Sequence, residues 1–464
     1  MLFNSYVYLL CFLPVTLVVY FLLGRRAKWA VVWLVLASLF FYGFWNPNYL
    51  PLIVGSIAAN FCVAQLLRRF PERSKPLLIV GVGGNLALLG VFKYAVFFLE
   101  SVAGIAGAAP PALPIVLPLG ISFFTFTQIA YLVDVSRGKA EEPSLANYAL
   151  FVTFFPHLLA GPILHHSEMM PQFAATSNKR PYAAHLAAGL FLLAVGLAKK
   201  VFLADQLAPL ADAGFAQPDQ LSLPGAWLAV LAYTLQIYFD FSGYTDMALG
   251  AALLFNIRMP PNFDSPYQAR NLRDFWLRWH MTLSRFLRDY LYVPLGGNRH
   301  GAARTACNVM VTFMLGGLWH GAAWTFVVWG TLHGLGVVLV RLWERTGVRL
   351  PYGLAWGMTF LFVMITWVFF RARTMADALA VLRAMVGLSQ EPFRIPDLSG
   401  QGTPAAMSAL LVIAALMIVA AKKNSNVLVT TFEPDWRTAL FAGSALTLAV
   451  LQFAQVSPFL YFNF

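Results

Sequence analysis

The residue types best suited to chemistry fall in Gly316-Gly317-Leu318-Trp319-His320-Gly321-Ala322-Ala323-Trp324. This stretch lies inside an apolar run over residues 308–343. One bilayer crossing needs about 20 residues, so the run is too long for one. Gly316, Gly317 and Gly321 mark where it breaks. A helix breaks at membrane depth only where its freed N–H and C=O groups face protein or a water-filled cavity. An ionisable group at such a break is a functional-site candidate by default. His320 is therefore either a proton-transfer group in a cavity reaching the membrane centre or a histidine hydrogen-bonded between packed helices. The residues alone leave both readings open.

Two further clusters carry polar chemistry. The apolar run 226–255 contains Asp240, Tyr244 and Asp246. Such groups are expensive in lipid unless they line a polar cavity or pair with cations, so a substrate-facing role and a structural ion pair stand side by side. Residues 270–293 have helical period, with Trp276, His280, Leu283 and Leu287 on one face and Arg278, Arg285 and Asp289 opposite. Asp274/Arg278 and Arg285/Asp289 are opposite charges four apart. This reads as one interfacial amphipathic helix. It either touches anionic membrane lipid or helps hold a phosphate-bearing cosubstrate, with Arg273, Arg278, Arg285 and Arg288 at the cytoplasmic mouth. His157, His165, His166, Glu168 and His333 fit no metal-ligand spacing. His165 and His166 read as loop or interface residues, and His333 as a packing residue. Lys199 and Lys200 read as side chains snorkelling to the interface.

The elements that must position these residues are membrane helices. Of 464 residues, 59% are hydrophobic and 11% charged, with mean hydropathy +0.68. Soluble domains carry about 25% charged residues. The net charge of +12 collects in short loops, as the positive-inside rule requires, which argues against nucleic acid as a partner. Cys11, Cys62 and Cys307 form neither a disulfide framework nor a metal motif. Residues 2–23 read as a retained first span, followed by Arg25, Arg26 and Lys28 on the cytoplasmic side. Residues 205–223 and 371–404 should lie outside, and the basic loop from Arg341 to Arg349 inside. Residues 148–163 are apolar but short and interrupted, which suits a re-entrant segment. The expected fold is all-α and polytopic, with about 10–12 membrane helices plus re-entrant and amphipathic helices around a central tunnel. Residues 1–464 read as a single membrane domain. N-terminal spans occupy 1–113, and a motif-bearing core 114–350 includes amphipathic helices over 262–304. Further spans occupy 351–464.

Several segments, in order, resemble one family. They are Pro118-Leu119-Gly120-Ile121-Ser122-Phe123-Phe124, His157-Leu158-Leu159-Ala160-Gly161-Pro162-Ile163, and Tyr238-Phe239-Asp240-Phe241-Ser242-Gly243-Tyr244. Asn262-Phe263-Asp264-Ser265-Pro266-Tyr267, Phe275-Trp276-Leu277-Arg278-Trp279-His280 and Leu318-Trp319-His320-Gly321-Ala322-Ala323-Trp324 follow. The chain resembles the membrane-bound O-acyltransferase superfamily, in its bacterial alginate and cell-wall polysaccharide O-acetylase branch. The resemblance implies a catalytic His320 at the floor of a tunnel and His280 at the second polar catalytic position. It implies acetyl-CoA as the cytoplasmic acyl donor, with no bound cofactor or metal. It also implies a polysaccharide acceptor met outside the bacterial inner membrane, often through a periplasmic acetyltransferase or esterase-like partner. His320 then takes the proton of a weakly nucleophilic hydroxyl, and His280 or the Trp319 indole donates to the oxyanion. Trp319, Asp240, Tyr244, Asp246, Arg273 and Arg278 are the candidate substrate-binding residues. A transporter or flippase, or a non-catalytic scaffold whose aromatic tail 458–464 docks a partner, are the competing expectations.

Overall fold

The computed structural model describes residues 1–109, 113–140, 144–389, 391, 405–421, 423–453 and 459–460. These residues form helices joined by loops and contain no strand. Six helices are long and apolar enough to cross a membrane, from Val7–Arg25 to Tyr352–Arg371. Four shorter apolar helices accompany them: Ala27–Gly43, Ile121–Ser136, Leu410–Ala420 and Trp436–Leu451. Large apolar side chains such as Leu22 and Ile105 stand exposed on this surface, as a lipid solvent requires. The chain is a multi-pass membrane protein.

Contacts group the chain into two compact units, each drawn from separated segments. The first comprises Met1–Val195, Tyr244–Pro260 and Phe432–Phe453, and the second Gly196–Gly243, Pro261–Thr431 and Ala454–Phe464. Each unit combines segments distant in sequence, because helices far apart along the chain pack together.

In the first unit, the interrupted segment near residue 150 forms two short helices, Leu145–Thr153 and Phe155–Leu158. His157 is buried there, its Nε2 2.9 Å from the Phe151 carbonyl. His166 lies 2.9 Å from the Lys139 carbonyl through Nε2, and its Nδ1 lies 3.4 Å from Asp134. Both are structural histidines. Among the described residues no three His, Cys, Asp or Glu side chains gather as a metal site.

The second unit positions the chemistry. Helix α1 (Leu223–Leu254) supplies Asp240 to this unit. Lys200 bridges Asp240 and Asp205 at 2.7 Å each, and all three side chains are buried. Lys200 is therefore not a snorkelling residue, and Asp240 is committed to an ion pair. Leu460 also donates its N–H to Asp240 at 2.8 Å.

The expected helix over 270–293 is divided into α2 (Leu272–Arg278), α3 (Met281–Leu287) and a π-helical turn, Arg288–Tyr292. The break falls at Trp279 and His280. Asn271 caps α2 by accepting from the Asp274 N–H at 2.9 Å.

The long apolar run around His320 becomes two helices, α4 (Gly301–His320) and α5 (Trp324–Glu344). They pack as an antiparallel hairpin, not as one interrupted span. A Cβ on Gly317 would meet the Phe326 carbonyl oxygen at 2.3 Å, and one on Gly330 the Phe313 oxygen at 2.3 Å. These two glycines let the backbones touch. Gly316 and Gly317 lie inside α4, so the break itself is Gly321–Ala323.

Candidate active site

His320 is the last residue of α4, delivered to the hairpin turn by the close packing of its own helix against α5. It is buried, with 3% of its surface exposed. Its ring lies 5.0 Å from Trp319, 5.2 Å from Trp329 and 5.3 Å from Phe370, centroid to centroid. The His280 ring is 6.1 Å away. The structure thus brings His320, His280 and Trp319 together.

His280 stands in the turn between α2 and α3 with φ +45°. Non-glycine residues seldom adopt this left-handed region, although histidine tolerates it better than most. The loop starting at Asn262 holds the turn from both sides. Asp264 donates its N–H to the Arg278 carbonyl at 2.9 Å, and Met281 donates to the Asn262 carbonyl at 3.0 Å. The Asn262 side-chain oxygen lies 3.2 Å from His280 Nδ1, and accepts from Thr282 N–H at 3.2 Å and Thr282 Oγ at 3.0 Å. An oxygen facing Nδ1 sets the tautomer: Nδ1 carries the hydrogen and Nε2 a lone pair. Burial lowers the imidazole to a pKa of about 3, so the ring is neutral at physiological pH.

A second tier of aromatic residues fixes the walls. Trp276 Nε1 donates to His333 Nδ1 at 3.2 Å. An indole only donates, so His333 is protonated at Nε2 and meets Thr366 Oγ at 3.0 Å. Thr366 in turn donates to the Val363 carbonyl at 2.9 Å. This fully used ring packs on Trp329 at 4.9 Å, and Trp329 packs on His320. His333 is thus a positioning residue. Asn262 and Trp329 were not foreseen as site residues. Asn262 stands at the start of one of the segments that resemble the family, and Trp329 is one aromatic residue among many in an apolar helix; neither signal pointed to the site.

His320 also borders a cavity of about 210 Å³. The cavity follows α4 from Val309 to His320, roughly 16 Å by helical rise, and Arg273 and Arg288 are among its lining residues. Its walls are mostly apolar, including Trp276, Leu283 and Phe313.

The remaining predicted residues are placed elsewhere. Arg278 is held by Asp274 at 2.7 Å, which raises its already high pKa. It also donates to the Asp264 carbonyl at 3.2 Å. Tyr244 and Asp246 belong to the first unit, where Tyr244 stacks on Phe3 at 4.9 Å. Asp240 holds Lys200, as described above.

The model of the membrane-bound O-acyltransferase family matches residues 115–376. The chain belongs to that family. The matched region contains α1 through α5 and both histidines of the pair. A Helicobacter pylori protein named peptidoglycan O-acetyltransferase is 44% identical, aligned over all of this chain and 98% of its own. A probable alginate O-acetylase of Pseudomonas putida is 37% identical over the full length of both. A teichoic acid D-alanyltransferase of Streptococcus thermophilus is 29% identical, over 49% of this chain and 57% of its own. The protein is an O-acyltransferase.

Proposed function

We propose that this O-acyltransferase moves acetyl groups from cytoplasmic acetyl-CoA to hydroxyls of an exported polysaccharide, across a bacterial inner membrane. Two of the relatives named above act on peptidoglycan or alginate by their names, which supports a glycan acceptor. Transfer runs either directly to the glycan or through a periplasmic acetyltransferase-like partner.

The carrying observation is that His320 borders an apolar cavity and has the His280 ring 6.1 Å from its own. A hydroxyl is a weak nucleophile near pH 7 and needs a base. His320 takes its proton as the oxygen attacks the thioester carbonyl. The carbonyl oxygen becomes an oxyanion, and the Trp319 Nε1–H, beside His320, is the donor assigned to it, a contribution of about 3 kcal/mol in comparable sites. Collapse breaks the C–S bond, and the thiolate leaves with the proton held by His320. His280, with its lone pair on Nε2, is suited to accept an N–H from the His320 imidazolium and steady it. The sequence offered His280 as well as Trp319 for the oxyanion; with its hydrogen directed at Asn262, His280 is the less suited of the two in this reading. The largely apolar walls exclude water that would hydrolyse the thioester.

His320→Ala tests the reading. The variant should keep the wild-type thermal midpoint while polymer acetylation in cells falls by at least a hundredfold. Unchanged acetylation with a folded variant would sink the assignment.

A further inference from the structure

The structure holds a second cavity, of about 490 Å³, at the charged end of the α4–α5 hairpin. Arg273, Arg341 and Arg345 line it, with Glu344 as the carboxylate among the lining residues. Its volume is in the range of small-molecule sites. Three guanidinium groups against one carboxylate leave a surplus of positive charge in a concave space, which an anion would neutralise. Arg345 has no ion pair among the described residues. Arg341 meets the Tyr292 hydroxyl at 3.3 Å.

Arg273 lines this cavity and the narrow one leading to His320. It is ion-paired with Glu344, and both side chains are about half exposed. Exposed pairs contribute little to stability, so this one is easily exchanged. The two cavities therefore have opposite characters and share one residue. The outer is basic and roomy, and the inner is apolar, narrow and ends on an imidazole.

We propose that the Arg273–Glu344 pair is a latch for the phosphate group of the acyl donor. Glu344 occupies Arg273 when the outer cavity is empty. A donor phosphate then replaces the carboxylate, with Arg341 and Arg345 beside it, while the thioester arm enters the inner cavity. Arginine suits this exchange because its planar fork binds carboxylate and phosphate alike. The latch rests on the reading that a thioester donor enters from this side. It assigns donor recognition to Arg273 with Arg341 and Arg345, and excludes Arg278, whose guanidinium is already committed.

Binding of CoA and of pantetheine, which lacks phosphate, to the full-length protein in detergent tests this. Arg273→Gln and Arg345→Gln should each weaken CoA binding about tenfold and leave pantetheine unchanged. Glu344→Gln should tighten CoA roughly two- to fivefold by removing the competitor, a gain that misfolding cannot mimic. If Glu344→Gln weakens CoA, or if the arginine variants weaken both ligands equally, the latch is wrong. CoA affinity should be equal in nanodiscs of phosphatidylcholine and phosphatidylglycerol. Loss of affinity in the anionic lipid would assign the cavity to a lipid headgroup and overturn the donor role. Acetyl transfer from acetyl-CoA with CoA binding indifferent to all three variants would refute the latch and leave the proposed reaction standing. Variant-sensitive CoA binding without acetyl transfer would do the reverse.

Discussion

His280 shows how a single side chain is set for a role before any substrate arrives. Its backbone is in a region that bulky residues avoid, and its ring is buried and hydrogen-bonded to Asn262. Such strain persists only when the surroundings over-determine it. Here two backbone hydrogen bonds from the 262–264 segment do so. The arrangement has a cost that pH reveals. An unfolded histidine titrates near 6.5, whereas burial lowers this one to about 3. Below pH 6.5 the unfolded chain takes up a proton that the folded ring refuses. Stability from this group is therefore intact above pH 6.5 and falls as pH drops toward 3, by at most about 1.4 kcal/mol per pH unit. The thermal midpoint of the wild type should fall more steeply between pH 7 and pH 5 than that of His280→Asn. Parallel curves would mean that the ring is solvated or already protonated in the native state. His333 is equally buried, and its two nitrogens meet Trp276 and Thr366, which fits the positioning role described above.

At the scale of elements, the α4–α5 hairpin decides where His320 stands. Gly330→Ala places a methyl carbon 2.3 Å from the Phe313 carbonyl oxygen, and backbone cannot rotate away as a side chain can. The helices must separate, which shifts His320 relative to Trp329 and His280. We expect acetyl transfer to fall by about 100-fold, the order seen for a displacement near 1 Å, with a smaller loss of stability. Full activity in Gly330→Ala would show that the hairpin tolerates a wider spacing. The helical class and the break beside His320 were legible in the sequence, because glycines in an overlong apolar run are a local signal. Two features were not. The 3.6-residue period continues through Trp279 and His280, so nothing local announces the turn there, and the cause is Asn262, 18 residues away. Asp240 likewise has its partner 40 residues earlier, in Lys200, whose place near the end of an apolar helix suits snorkelling equally well. Arg273 and Arg278 lie on the same short helix, and which of them faces the cavity depends on how that helix packs, so charge alone did not distinguish them.

Across the whole molecule, the reaction proposed above uses two sides, with the donor on one and the acceptor on the other. Sidedness follows from charge, and the segment expected to face out carries arginines against the rule, Arg371, Arg373 and Arg383 among the described residues. The structure accounts for Arg371, which ends the helix Tyr352–Arg371. Arg371 pairs with Asp212 at 2.7 Å and lies 5.6 Å from the Phe215 ring. The pair joins two segments that the charge rule places on the same side, and it neutralises this arginine. The basic cavity of Arg273, Arg341 and Arg345 sits at the end of the hairpin that carries the loop through Arg349, the side the rule assigns to the cytoplasm. Cysteine labelling tests this directly, once the exposed Cys11, Cys62 and Cys307 are replaced by serine. A membrane-impermeant maleimide should label Gln217→Cys, beside the short Pro218–Gln220 turn, in cells whose outer barrier alone is opened. It should reach Thr346→Cys, at the mouth of the basic cavity, only after the inner membrane is permeabilised. The reverse pattern would put the phosphate-binding end on the side that has no acetyl-CoA. The histidine pair would then face a different donor, whatever its geometry.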